Sequence, residues 1–103
     1  MGDRSPPAAG GRRARVRLSP RGRRLAALLG RPADVRIRRN APPAPGREDW
    51  VQASVRIESV EEAVLDMLAL GPEIEVLHPP ELRDQLGRAA LRLAKLNAEL
   101  NIG

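Results

Sequence analysis

The sequence has no cysteine, no phenylalanine and no tyrosine, and carries a single tryptophan and a single histidine. Without cysteine there can be no disulfide, no thiolate metal ligand and no cysteine nucleophile. Long apolar runs are also missing: none approaches the roughly 20 residues that span a bilayer. The opening stretch "MGDRSPPAAGGRRARVR" has arginines but no apolar core, so it does not read as a secretory signal. These absences point to a soluble cytoplasmic protein with no membrane partner. The chain of 103 residues has room for one domain and one modest core.

What the sequence has in quantity is arginine. The net charge is +5, and of its 18 cations only Lys95 is not arginine. The charge is polarised: residues 1–47 carry +11 and residues 48–103 carry −6. A basic balance invites a nucleic-acid reading, but a dipolar chain can also neutralise itself across a sheet. Residues 1–13, rich in Gly, Pro, Ala and Arg without periodicity, read as a disordered arm. Residues 14–103 read as a single domain. Inside it, "NAPPAPGRED" (40–49) reads as a loose connection, because its prolines deny ladder donors.

Four stretches alternate with period two, the mark of strands buried on one side. "ARVRL" (14–18) sets Ala14, Val16 and Leu18 against Arg15 and Arg17. "ADVRIRR" (33–39) sets Val35 and Ile37 against Arg36 and Arg38. "WVQASVRIE" (50–58) sets Val51, Ala53, Val55 and Ile57 against Gln52, Ser54, Arg56 and Glu58. "EIEVL" (73–77) sets Ile74 and Val76 against Glu73 and Glu75.

Three helices lie between or after them. The first opens at Ser19 as N-cap and Pro20 at N1, buries Leu25, Leu28 and Leu29, and stops at Gly30. The second opens with Ser59 and Glu62 at capping-box spacing and buries Val60, Val64, Met67 and Leu68. The third starts at Pro80 and runs to about Leu100. The order β-α-β-β-α-β followed by a long helix predicts an α+β fold: a ferredoxin-like antiparallel sheet with an extra C-terminal helix.

Catalytic constellations are hard to assemble from these residues. A nucleophilic triad needs a base beside a nucleophile, and the one histidine, His78, reads as the end of an edge strand. Ser19 and Ser59 are occupied as caps. One histidine with scattered carboxylates lacks metal-ligand spacing, and no Gly-rich phosphate loop is present. Glu61, Glu62 and Asp66 read as a solvated helix face. The expectation is therefore no catalytic residue, no metal, no cofactor and no enzymatic activity.

Two features are candidates for binding. On a four-stranded sheet, Arg15, Arg17, Arg36, Arg38 and Arg56 would project from the face away from the helices. Such a face can hold phosphates of a nucleic acid or another anionic effector, without reading sequence. It lacks the aromatic platforms on which single-strand readers stack bases. If the first strand lies beside the fourth, Glu73 and Glu75 neutralise Arg15 and Arg17 as cross-strand pairs. The second feature is the third helix. Leu82, Leu86, Ala89, Leu93, Leu96 and Leu100 form an a/d seam. A helix of this length spans about 30 Å whereas a strand spans ~17–20 Å. One end of the seam should overhang, which makes Leu86, Leu93, Leu96 and Leu100 candidate interface residues; the alternative is a helix that folds back over its own sheet edge.

The stretch "VRIESVEEAVLDMLALGPEIEVLHPPELRDQLGRAALRLAKL" resembles the WCX domain, the C-terminal extension of WYL-domain helix-turn-helix transcriptional regulators. Leu70 and Gly71 match the family's helix stop. Glu75, Val76 and Leu77 match the following strand, and Pro79, Pro80, Glu81, Leu82 and Arg83 match the start of its long helix. "ARVRLSPRGRRLAALL" resembles the opening strand and helix, so the likeness covers residues 14 to 100. The resemblance implies a bacterial regulatory module involved in dimerisation, interdomain docking and effector response. Its expected partners are a second copy or an upstream WYL or helix-turn-helix domain. No helix-turn-helix pattern and no Trp-Tyr-Leu tripeptide occurs in the sequence, so operator reading is not expected of these residues. The alternative is a small basic nucleic-acid-binding protein that uses the arginine face.

Overall fold

The computed structural model describes residues 12–98. Its elements follow the expected order: β1 (Arg12–Leu18), α1 (Pro20–Leu29), β2 (Ala33–Ile37), β3 (Val51–Ile57), α2 (Val60–Leu70), β4 (Ile74–His78) and α3 (Pro80–Ala98). A 3-10 turn, Gly71–Glu73, joins α2 to β4. The four strands form one antiparallel sheet in the order β2-β3-β1-β4. β1 therefore lies between β3 and β4.

The alternation puts one apolar set on the helix side. Ala14, Val16 and Leu18 from β1 meet Ala53, Val55 and Ile57 from β3, with Ile74 and Val76 from β4. α2 closes this face with Val60, Ala63, Val64, Met67 and Leu70, all buried. Leu82 of α3 is fully buried in the same cluster.

The caps work as the sequence predicts. Ser19 Oγ accepts from the Gly22 N–H at 2.9 Å, and Ser59 Oγ accepts from the Glu62 N–H at 3.1 Å. Gly30 takes the left-handed conformation, φ 70°, and its N–H donates to the Ala26 carbonyl at 2.8 Å. An L-residue with a side chain is disfavoured there, so α1 stops.

Several local expectations need correction. β1 starts at Arg12, so the expected arm loses Arg12 and Arg13 to the sheet, and residues 1–11 lie outside the described residues. β2 ends at Ile37 rather than Arg39. α1 buries Ala26 and half-buries Leu25, but Leu28 is 81% and Leu29 49% exposed. The helix is amphipathic, but it lies over the sheet on its Gly22–Ala26 side. Small residues on that side let it approach the strands closely.

Candidate functional site

The face of the sheet turned away from the helices is organised in three cross-strand rows. The middle row is His78, Arg15, Ser54 and Arg36; a second pairs Arg13 with Arg56; the third runs Glu75, Arg17 and Gln52. The Arg38 N–H donates to the Gln52 carbonyl at 2.8 Å, which places Arg38 at the end of the third row. The register thus brings the five expected arginines to one face. It does not leave them equivalent.

Two carboxylates sit at opposite corners. The first is Asp34, which reaches this face because β2 carries a bulge: one extra residue of β2 intervenes between the Ala33–Arg56 and Arg36–Ser54 pairs. Asp34 has a positive φ of 55°, a conformation that aspartate tolerates better than most residues. Arg13 Nη1 donates to Asp34 Oδ2 at 2.9 Å, and Arg36 Nη2 lies 3.0 Å from the same oxygen. The hydrogen bond from Arg13, then that from Arg36, holds the Asp34 carboxyl below the usual carboxylate range. Arg13 also donates to the Ser54 hydroxyl at 2.6 Å and to the Ser54 carbonyl at 3.0 Å, so it is fixed along its whole fork.

The second corner is Glu75. Arg17 Nη1 lies 3.0 Å from its Oε1, as the cross-strand expectation requires. Two further arginines converge on it: Arg47 from the β2–β3 connection at 3.0 Å, and Arg83 from α3 at 3.6 Å. Arg47 also lies over the Trp50 ring, 5.1 Å from its centroid, within cation–π range. Glu73, expected beside Arg15 or Arg17, is instead held by Ser19: the hydroxyl donates to its carboxylate and the Ser19 N–H donates to its carbonyl at 3.1 Å. The 3-10 turn lifts Glu73 out of the strand register, which is why the expected pair does not form. Arg15, Arg38 and Arg56 have no carboxylate partner among the described residues.

The remaining charges are local. Arg31 pairs with Asp66 at 3.2 Å, and Glu61 and Glu62 stand in solvent at the start of α2. His78 ends edge strand β4, exposed and opposite Arg15. Among the described residues, no group of three or more His, Asp or Glu side chains is placed to hold a metal ion. None of their helices is long and apolar enough to cross a membrane.

The second candidate region is α3. Leu82 anchors it, and Leu86 and Ala89 pack partly against the core. Leu93 is 53% and Leu96 68% exposed. Leu100 lies outside the described residues. Leu91, off the seam, is exposed as well. Between α2, the outer edge of β4 and α3 runs an apolar groove of 610 Å³, with Arg47, Glu75 and Arg83 at one end.

Asp34, Arg13, Arg47 and Arg83 were not singled out by the sequence pattern. Arg13 was within reach, since Arg13, Arg15 and Arg17 continue one alternation. The other three depend on a bulge, a connection crossing the sheet end and a helix entry angle, none of which alternation encodes.

A four-stranded antiparallel sheet with an arginine-rich face, closed on its other side by helices and extended by one long helix, defines a small α+β domain. The family model of the WCX domain matches residues 11–94, most of the chain, and the chain belongs to that family. The family is consistent with the C-terminal extension of a WYL-type regulator. No curated protein and no solved structure matches the chain.

Proposed function

We propose that the chain is a regulatory and assembly module of a bacterial WYL-type transcriptional regulator, acting by docking α3 on a second copy of the domain. On this reading the β2-β3-β1-β4 order is the ferredoxin-like arrangement, with α3 added to it. The observation that carries the proposal is the gradient along one helix seam: Leu82 is fully buried, whereas Leu93 and Leu96 are more than half exposed. A leucine side chain gains about 1.5–3 kcal/mol on full burial, so an ordered helix holding two of them in water has a surface suited to a partner. Gly87 supports the same reading. It sits inside α3, where glycine costs about 1 kcal/mol relative to alanine, and among the described residues nothing beyond its own stretch of helix lies within 4 Å of where its Cβ would be. Close approach of another helix would explain its presence.

Sedimentation of the native chain over a wide concentration range tests this. Self-association is expected, and the Leu93→Asp/Leu96→Asp double variant should sediment as a monomer. A native chain that stays monomeric at high concentration rules out docking on a second copy.

A second reading rests on Arg15, Arg38 and Arg56, which have no acidic partner among the described residues. An arginine face in this state suits the phosphates of a nucleic acid. Anisotropy titration with single- and double-stranded DNA should then show binding that weakens with salt in a log–log slope. Arg15→Gln/Arg56→Gln should flatten that slope.

A further inference from the structure

The groove between α2, β4 and α3 combines an apolar floor with an unbalanced cationic end. Its walls include Leu68, Pro72, Leu86, Ala90 and Leu93. At its end one carboxylate among the described residues, Glu75, faces three guanidinium groups: Arg17 and Arg47 at 3.0 Å and Arg83 at 3.6 Å. One negative charge cannot balance three positive ones, and Arg47 and Arg83 remain 41% and 58% exposed. The groove's 610 Å³ falls within the range of small-molecule sites, which are mostly apolar with a few polar groups that fix orientation.

We propose that this groove binds an amphipathic anion, an aliphatic chain ending in one carboxylate. The headgroup would sit between Arg47 and Arg83, which can both donate to it while keeping Glu75 as a shared acceptor. The chain would lie along Leu68, Leu86 and Leu93. Charge complementarity selects an anion over a neutral or cationic amphiphile, and the apolar floor selects a chain over a bare anion. A peptide adding to the β4 edge is the competing occupant, and the edge argues against it: Arg83 Nη1 already donates to the Val76 carbonyl at 2.9 Å. That carbonyl would otherwise serve an incoming strand. The inference extends the regulatory reading above by naming a class of effector, and it links that effector to docking, since Leu93 belongs to both surfaces.

Trp50, the sole tryptophan, lies under Arg47 and provides the readout. The full chain would be titrated with decanoate below its micelle-forming range while Trp50 fluorescence is followed, with acetate and decyltrimethylammonium as controls. Saturable binding of decanoate alone is expected. Arg83→Gln should weaken it roughly tenfold or more, the usual worth of a charge-assisted hydrogen bond. Ala90→Leu fills the groove at an exposed helix position, where leucine is nearly as good a helix former as alanine. It should abolish binding while leaving the circular dichroism and the unliganded Trp50 emission unchanged. Equal responses to acetate and decanoate would overturn the inference. So would native-like decanoate binding by both variants, or a β4 amide shift with a strand-forming peptide but none with decanoate. Sedimentation of the same samples keeps the two proposals apart. A chain that stays monomeric and binds decanoate sinks the docking reading alone, and a chain that associates when concentrated but ignores decanoate when dilute and monomeric sinks this one alone.

Discussion

At the scale of single residues, the tightest point of the domain is Gly22. A Cβ there would stand 2.5 Å from the Glu73 carbonyl oxygen. That oxygen cannot retreat freely, because it accepts the Ser19 N–H at 3.1 Å. Ser19 thus serves twice, capping α1 and tying it to the turn before β4. Gly22→Ala should destabilise the domain by about 1–3 kcal/mol through overpacking, more than the roughly 1 kcal/mol that alanine gains in a helix. A lower urea midpoint at unchanged slope would show it. Asp34 makes a prediction of a different kind. Its folded pKa is depressed by Arg13 and Arg36, so its contribution is present above the unfolded value of about 3.9 and is lost as pH falls through the folded value. Asp34→Asn keeps a residue that tolerates positive φ and removes the charge. The native chain should unfold at a higher temperature than this variant at pH 7, and the gap should close at pH 2. A gap of equal size at both pH values would mean that geometry, not charge, is what Asp34 supplies. Ser19 and Ser59 were legible in the sequence because a cap is a local pattern. Gly22 and Asp34 were not, because each depends on a neighbour distant in the chain.

At the scale of elements, strands were read more accurately than the ends of the connections between them. Period-two alternation fixed the buried faces of β1, β3 and β4, and these are the strands on which the core rests. It misjudged β2, where one bulged residue breaks the period and an edge position leaves Val35 and Ile37 37% and 38% exposed. It also missed Arg47, since a proline-rich stretch gives no period to read. The leucine seam of α3 was legible as a pattern, and its split into a buried and an exposed half followed from comparing helix and strand lengths. That split predicts opposite outcomes for substitutions along one helix. Leu82→Ala should cost about 2–5 kcal/mol, the range for emptying a packed core site. Gly87→Ala, whose new Cβ meets no neighbouring element among the described residues, should raise stability by up to about 1 kcal/mol at dilute concentration. Urea melts of the two variants check both signs, and a destabilised Gly87→Ala in dilute solution would show that the domain itself needs glycine there.

At the scale of the whole molecule, a charge division along the chain becomes a neutralisation across the sheet. The basic half supplies β1 and β2 and the acidic half supplies β4, and the strand order sets β1 directly beside β4. Glu75 and Asp34 compensate part of one face, and what remains is a basic surface on one side and an unpartnered helix on the other. These two surfaces make different demands on stability. Arginines in water are solvated as they stand, but apolar side chains in water favour association. The proposed docking through α3 would couple folding to concentration. A partner that binds only the folded chain stabilises it by about 2.7 kcal/mol at a hundredfold excess over its dissociation constant. The urea midpoint of the native chain should accordingly rise as protein concentration rises. Leu93→Asp/Leu96→Asp should abolish that rise, yet leave the dilute-limit midpoint close to native, because these side chains stand largely in solvent on their own domain. A double variant that is equally unstable at every concentration would place Leu93 and Leu96 inside the fold and remove them from any interface.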